Sequence, residues 1–159
     1  MNVNIFKDKT ECNTRLAEYL IKEYLSEKKN IAISGGSTPI GLFNEVLKLT
    51  NKDFKVKSRI FWVDERCVEP TSDESNYGSA YKNFLFKMNI PNENIFRIKG
   101  EKKPKEEAQS YTKLLSESVE IVDDLPSFDL CILGIGSDGH TASIFPHELD
   151  KLIKINPCV

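Results

Sequence analysis

The chain has 159 residues, 40% hydrophobic and 29% charged, with a formal net charge of −2. This is ordinary globular usage and enough chain for a single α/β domain over residues 1–159. It argues against a nucleic-acid binder, because Lys28-Lys29 and Lys102-Lys103 are too short to be more than solvated faces. No stretch approaches the ~20 apolar residues of a membrane span, and Met1 to Thr10 lacks the apolar core of a secretory signal. A cytoplasmic protein is expected, with Cys12, Cys67, Cys131 and Cys158 as free thiols too scattered for zinc or redox pairing.

Along the chain, apolar runs alternate with amphipathic stretches. Val3 to Phe6 reads as a first strand, and Leu16, Leu20 and Tyr24 then keep helical spacing. Ile31-Ala32-Ile33 is a short apolar run, followed by a helix from Pro39 to Thr50 with Ile40, Phe43 and Leu47 on one face. Ile60-Phe61-Trp62-Val63 is a second run, Ser75 to Lys87 a helix, and Ile95 to Ile98 a short strand. Pro104 suits a first helical position, and Ala108, Tyr111, Leu115, Val119 and Val122 continue one stripe from it. Leu130-Cys131-Ile132-Leu133 is the third run. Strands apolar on both faces and separated by helices predict a doubly wound, mostly parallel sheet with helices on both sides.

Each of the three central runs leads straight into a loop rich in glycine or charge, and parallel strands would deliver all three loops to one edge, where such folds bind ligands. The first loop is Ser34-Gly35-Gly36-Ser37-Thr38-Pro39. Its glycines let backbone amides approach an anion, and Ser37 or Thr38 can cap the helix that follows. No Gly-Lys-Ser/Thr follows, so this is not an ATP-binding P-loop. The same residues suit a plain tight turn before a capped helix. The second loop is Asp64-Glu65-Arg66. Arg66 offers a planar fork for phosphate or carboxylate, and Asp64 and Glu65 are placed to hold that guanidinium or to orient sugar hydroxyls. An ordinary surface ion pair is the alternative. Asp73, Ser75 and Asn76 either line the same edge or cap a helix. The third loop, Gly134-Ile135-Gly136-Ser137-Asp138-Gly139, matches the three-glycine dinucleotide pattern in form only, because Pro146 cuts the following helix short. Its centre is His140, a general-base candidate with Asp138 two residues before it, whereas His147 reads as a surface residue.

Taken together, Ser34-Gly35-Gly36-Ser37-Thr38-Pro39, Trp62-Val63-Asp64-Glu65-Arg66 with Ser75-Asn76-Tyr77, and Gly134 to Pro146 with its Asp138-Gly139-His140-Thr141-Ala142-Ser143 core resemble the glucosamine-6-phosphate isomerase/6-phosphogluconolactonase family, on its lactonase side. The resemblance implies hydrolysis of 6-phospho-D-glucono-1,5-lactone in the oxidative pentose phosphate pathway, with no metal and no organic cofactor. It implies His140 as the base, with Arg66 and Asp64 beside it. Ser34, Gly35, Gly36, Ser37, Thr38, Asn76, Gly136, Asp138, Gly139 and Ser143 would bind the phosphorylated sugar. Family deaminases resemble one another in a Tyr after Asp-Glu and an Ile-Ala-Phe-Asn-Glu-Pro run after the histidine. Arg66 and Thr141-Ala142-Ser143-Ile144-Phe145-Pro146 stand there instead, which disfavours an aldose–ketose isomerase or deaminase using Asp64 and His140. The family continues past the Phe-Pro block with more strands, a closing helix and basic residues near the phosphate. The chain is therefore expected to be C-terminally short, and a non-catalytic sugar-phosphate-binding fragment is the remaining alternative.

Overall fold

The computed structural model describes residues 2–36 and 38–148. Helix α1 (Lys9–Leu20) starts at Asp8, whose carboxylate accepts from the Glu11 amide, and a π turn, Ile21–Leu25, extends it. Strand β1 (Asn30–Ile33), helix α2 (Thr38–Leu49) and strand β2 (Arg59–Trp62) follow. Helix α3 (Asn76–Ala80) is capped by the Ser75 hydroxyl and runs on through a π turn, Tyr81–Leu85. After β3 (Ile95–Phe96) come α4 (Pro104–Ser118), a hairpin of β4 (Glu120–Val122) and β5 (Leu125–Ser127), and β6 (Leu130–Ile132).

The main sheet is wholly parallel, in the order β3-β2-β1-β6. Side-chain alternation along its strands builds two cores. Ile31, Ile33, Ile60 and Trp62 face α1, α2 and α3, meeting Ala17, Leu20, Phe43, Val46, Phe84 and Leu85, with Phe43 and Phe84 stacked at 4.6 Å. Ala32 and Phe61 face the other way, toward Leu114, Leu115, Val119 and Phe128. The doubly wound reading therefore holds. Registers of Ile33 with both Trp62 and Ile132 bring the three strand ends level, so residues 34, 63 and 133 leave the sheet at one edge. β3 stops at Phe96, and the Tyr111 hydroxyl takes over from it. It accepts from Trp62 N at 3.0 Å and can donate to the carbonyl of Trp62 or Phe96. The hydroxyl thus ties α4 to β2 at Trp62, two residues before Asp64.

Three expectations are corrected. Val3 to Phe6 is no strand: Val3 and Ile5 are 66% and 92% exposed, because an alternating pattern forms a strand only where a neighbour offers its edge. The stripe from Ala108 ends with α4 at Ser118. Val119 caps that helix and Val122 lies in β4, since the β-branched Val119, Ile121 and Val122 suit extended chain and the residues after them, Asp123 and Asp124, take positive φ values of 52° and 63° that close a hairpin. Neither Asp64 nor Glu65 grips the Arg66 guanidinium; both carboxylates are occupied elsewhere. Cys12, Cys67 and Cys131 are free thiols, and Cys158 lies outside the described residues. No helix among the described residues is long and apolar enough to cross a membrane.

Candidate active site

The three strand-end loops enclose a cavity of about 210 Å³. Ser34, Gly35, Gly36 and Thr38 line it from the first loop, Asp64, Arg66 and Asn76 from the second, and Gly136 and His140 from the third. Such a volume, below the roughly 300 Å³ at which drug-sized pockets begin, suits a small polar ligand. A larger cavity of about 550 Å³ lies against α4 and β6, among Tyr111, Leu115, Phe128 and Leu133. Its walls are mainly apolar and lack the histidine, whereas the smaller cavity brings His140 together with residues of all three loops. Among the described residues no group of three or more His, Cys, Asp or Glu side chains could hold a metal ion.

In the first loop Gly36 has φ +80°, which L side chains rarely adopt. Gly35 is held for a different reason. A Cβ there would stand 1.8 Å from Asn76 Oδ1, so the loop lies directly on the Asn76 amide. Thr38 belongs to α2 itself, so it is not the cap expected of it, and Ser37 lies outside the described residues.

In the second loop Asp64 joins the other two. Its carbonyl and Oδ1 accept from Asn76 Nδ2 at 3.0 and 3.3 Å, and its Oδ2 accepts from the Ser143 hydroxyl at 2.6 Å. Asn76 is buried, so its amide is a fixed strut between Gly35 and Asp64. Ser143 braces Asp64 from outside the cavity wall. Arg66 is exposed and reaches both cavities, which leaves its fork facing solvent at the site's rim. Ser75 is a helix cap, and Asp73 is a surface partner of Lys82.

The third loop is a closed turn. Gly136 N donates to the His140 carbonyl at 2.8 Å, Gly139 turns with φ +87°, and Thr141 Oγ1 donates to the Gly134 carbonyl. His140 Nδ1 sits 2.5 Å from Asp138 Oδ1, and the His140 amide donates to the same oxygen. The hydrogen bond from the His140 ring, helped by that amide, holds the Asp138 carboxyl below the usual carboxylate range. Its folded value is depressed, so the favourable pairing is present above the unfolded value and is lost only as pH falls through the folded one. Through neutral pH Asp138 is an ionised, acceptor-only partner. That favours a proton on Nδ1, which makes Nε2 the acceptor of the neutral imidazole. The Phe145 ring packs 5.0 Å from the imidazole. Gly136 leaves the ring its space, since a Cβ there would lie 2.2 Å from His140 Cε1. Asp138, Gly139 and Ser143 thus shape and brace the site without lining it. His147 is on the surface.

Sequence reasoning missed Ala142, which lines the cavity with φ +49°, and the role of Glu65; nothing in the residue types signals the first.

The family model for glucosamine-6-phosphate isomerases/6-phosphogluconolactonase matches residues 7–157. A 6-phosphogluconolactonase of Treponema pallidum is 34% identical over 100% of this chain and 67% of its own length. One from Haemophilus influenzae is 41% identical over 82% of this chain and 56% of its own. Among solved structures, the crystal structure of a devB protein superposes with a TM-score of 0.82 at 36% identity, over 90% of this chain and 61% of that one. The chain spans 56% to 67% of the length of these relatives.

Proposed function

The chain belongs to the glucosamine-6-phosphate isomerase/6-phosphogluconolactonase family, and we propose that it hydrolyses 6-phospho-D-glucono-1,5-lactone to 6-phospho-D-gluconate. The observation that carries this reading is the His140–Asp138 pair facing, across one small cavity, a glycine loop at a helix start and an exposed guanidinium. In this reading the phosphate sits on the amides of the first loop and the start of α2, where the helix dipole favours an anion. Arg66 adds a charge-assisted contact to the phosphate or to the charge developing at the carbonyl. His140 Nε2 takes a proton from water as the water oxygen bonds to the lactone carbonyl carbon. The bond from that carbon to the ring oxygen then breaks, and the proton passes to the released hydroxyl. Asp138 holds the tautomer throughout. In this reading Asp64 fixes the loops, since Oδ1 and Oδ2 are each already committed to one bond, from Asn76 and Ser143. The same commitment counts against a deaminase or isomerase, which would need Asp64 free. A cytosolic setting belongs to this reading.

The test is to incubate the purified chain separately with the lactone and with glucosamine 6-phosphate. Acid release from the first and no ammonia from the second is expected, and ammonia release would overturn the assignment. Arg66→Lys should weaken binding of 6-phosphogluconate about tenfold by calorimetry, because a point charge cannot reproduce a bidentate fork. An unaltered affinity would remove Arg66 from the anion site.

A further inference from the structure

We propose that Glu65 is the positioning residue of this site, acting through Arg66, Asn76 and Asp64 without touching the ligand. Its carboxylate is saturated. Oε1 accepts from the amides of Arg66 and Asn76, both at 2.7 Å, and Oε2 accepts from the Tyr77 amide at 2.9 Å and the Ser75 hydroxyl at 3.1 Å. No acceptor position is left for a substrate, and Glu65 lines the larger, mainly apolar cavity and not the 210 Å³ cavity that holds its neighbours Asp64 and Arg66.

The start of α3 shows what those bonds accomplish. A helix begins with orphan amides. Here Glu65 takes those of Asn76 and Tyr77, Ser75 Oγ takes that of Gly78 at 3.0 Å, and Ser79 N reaches the Ser75 carbonyl. Every amide of the first turn is accounted for, two of them by a side chain ten or more residues earlier in sequence. Glu65 therefore closes the 66–76 segment into a loop whose two ends are the cavity residues Arg66 and Asn76. The loop is also clamped from inside, since a Cβ on Gly78 would stand 2.3 Å from the Pro70 carbonyl. Beyond it, Tyr77 is gripped by Arg97 5.0 Å over its ring and by the edge of Trp62. The backbone of Asn76 is thus set by Glu65, and its side chain in turn sets Gly35 and Asp64. One carboxylate fixes parts of all three loops, because Asp64 holds Ser143.

The kinetic part of this proposal rests on the lactonase reading; the structural part does not. The test compares Glu65→Gln with Ser75→Ala in the 159-residue chain. Glutamine keeps one acceptor oxygen and turns an amide nitrogen toward donors, whereas Ser75→Ala weakens the same helix start but leaves the Asn76 and Tyr77 amides on Glu65. Expected for Glu65→Gln are displaced NMR signals of the Asn76 side-chain amide and the Gly35 amide. The dissociation constant for 6-phosphogluconate should rise about tenfold or more, and kcat should fall by a similar factor, as sub-ångström to 1 Å misplacement causes. Ser75→Ala should lower Tm comparably yet keep that dissociation constant within about threefold. Should Glu65→Gln not fold, Glu65→Asp, with both oxygens on a stem one methylene shorter, gives the same readings. A Glu65 variant that loses Tm but keeps both the affinity and the Asn76 and Gly35 signals would make Glu65 a helix cap and nothing more. A wild-type chain that binds the product and fails to hydrolyse the lactone refutes the catalytic reading alone, and the NMR and binding arms still decide Glu65.

Discussion

His140→Ala lowers lactone turnover by about 10²- to 10⁴-fold, the usual contribution of a positioned general base, while the affinity for 6-phosphogluconate stays within about threefold. The asymmetry follows from the geometry. The imidazole stands on the third loop, and the glycine loop and Arg66 that face it across the cavity are untouched by its loss. Asp138 is on the surface, so its pairing with His140 is screened by solvent. It keeps the ring in one tautomer, and that is a matter of orientation more than stability. Calorimetry beside a pH-stat assay separates the two readings. A parallel loss of binding and turnover would place His140 in the ligand's seat.

Gly35→Ala is expected to damage both fold and function. Its Cβ would stand 1.8 Å from Asn76 Oδ1 and 1.9 Å from Cγ, well inside any contact a structure tolerates. Asn76 cannot step aside: it is 4% exposed, its amide is bound to Glu65, and its side chain is bound to Asp64. Overpacking of this kind costs about 1–3 kcal/mol, or a Tm loss of roughly 2–12 °C in a chain of this size. Displacing the first loop by about 1 Å should also cost about 10²-fold in kcat/KM. Thermal melting and steady-state kinetics on the variant test this. An unchanged Tm with unchanged kinetics would mean that the Gly35–Asn76 contact is not maintained in solution.

The convergence of the three loops was legible because it rests on two strong sequence signals, apolar runs of strand length and the glycines and charges immediately after them. The level strand ends of β1, β2 and β6 are the structural form of that signal. His140 stood out for a related reason: glycines on both sides of Asp138 force tight turns that aim a side chain. The division of labour among the acidic residues was not legible. Asp64 and Glu65 stand beside Arg66 in sequence, which suggests an ion pair, yet extended chain sends the side chain of Glu65 away from that of Arg66, and Asp64, on the same side as Arg66, is taken by Asn76 and Ser143. Their partners, Asn76 and Ser143 for one and the start of α3 for the other, lie 10 to 79 positions away. Val3 to Phe6 failed for want of a partner strand, and the hairpin after α4 was hidden because Val119 and Val122 keep a helical spacing that chain reversal at Asp123 and Asp124 overrides.

The central claim is that a phosphate seat and a histidine base act on one small lactone. It is tested most directly by following acid release from 6-phospho-glucono-1,5-lactone and from unphosphorylated glucono-1,5-lactone, each against its spontaneous rate. The site described here predicts hydrolysis well above background for the phosphorylated lactone, and little or none for the other. A folded chain that leaves both at their spontaneous rates would contradict it.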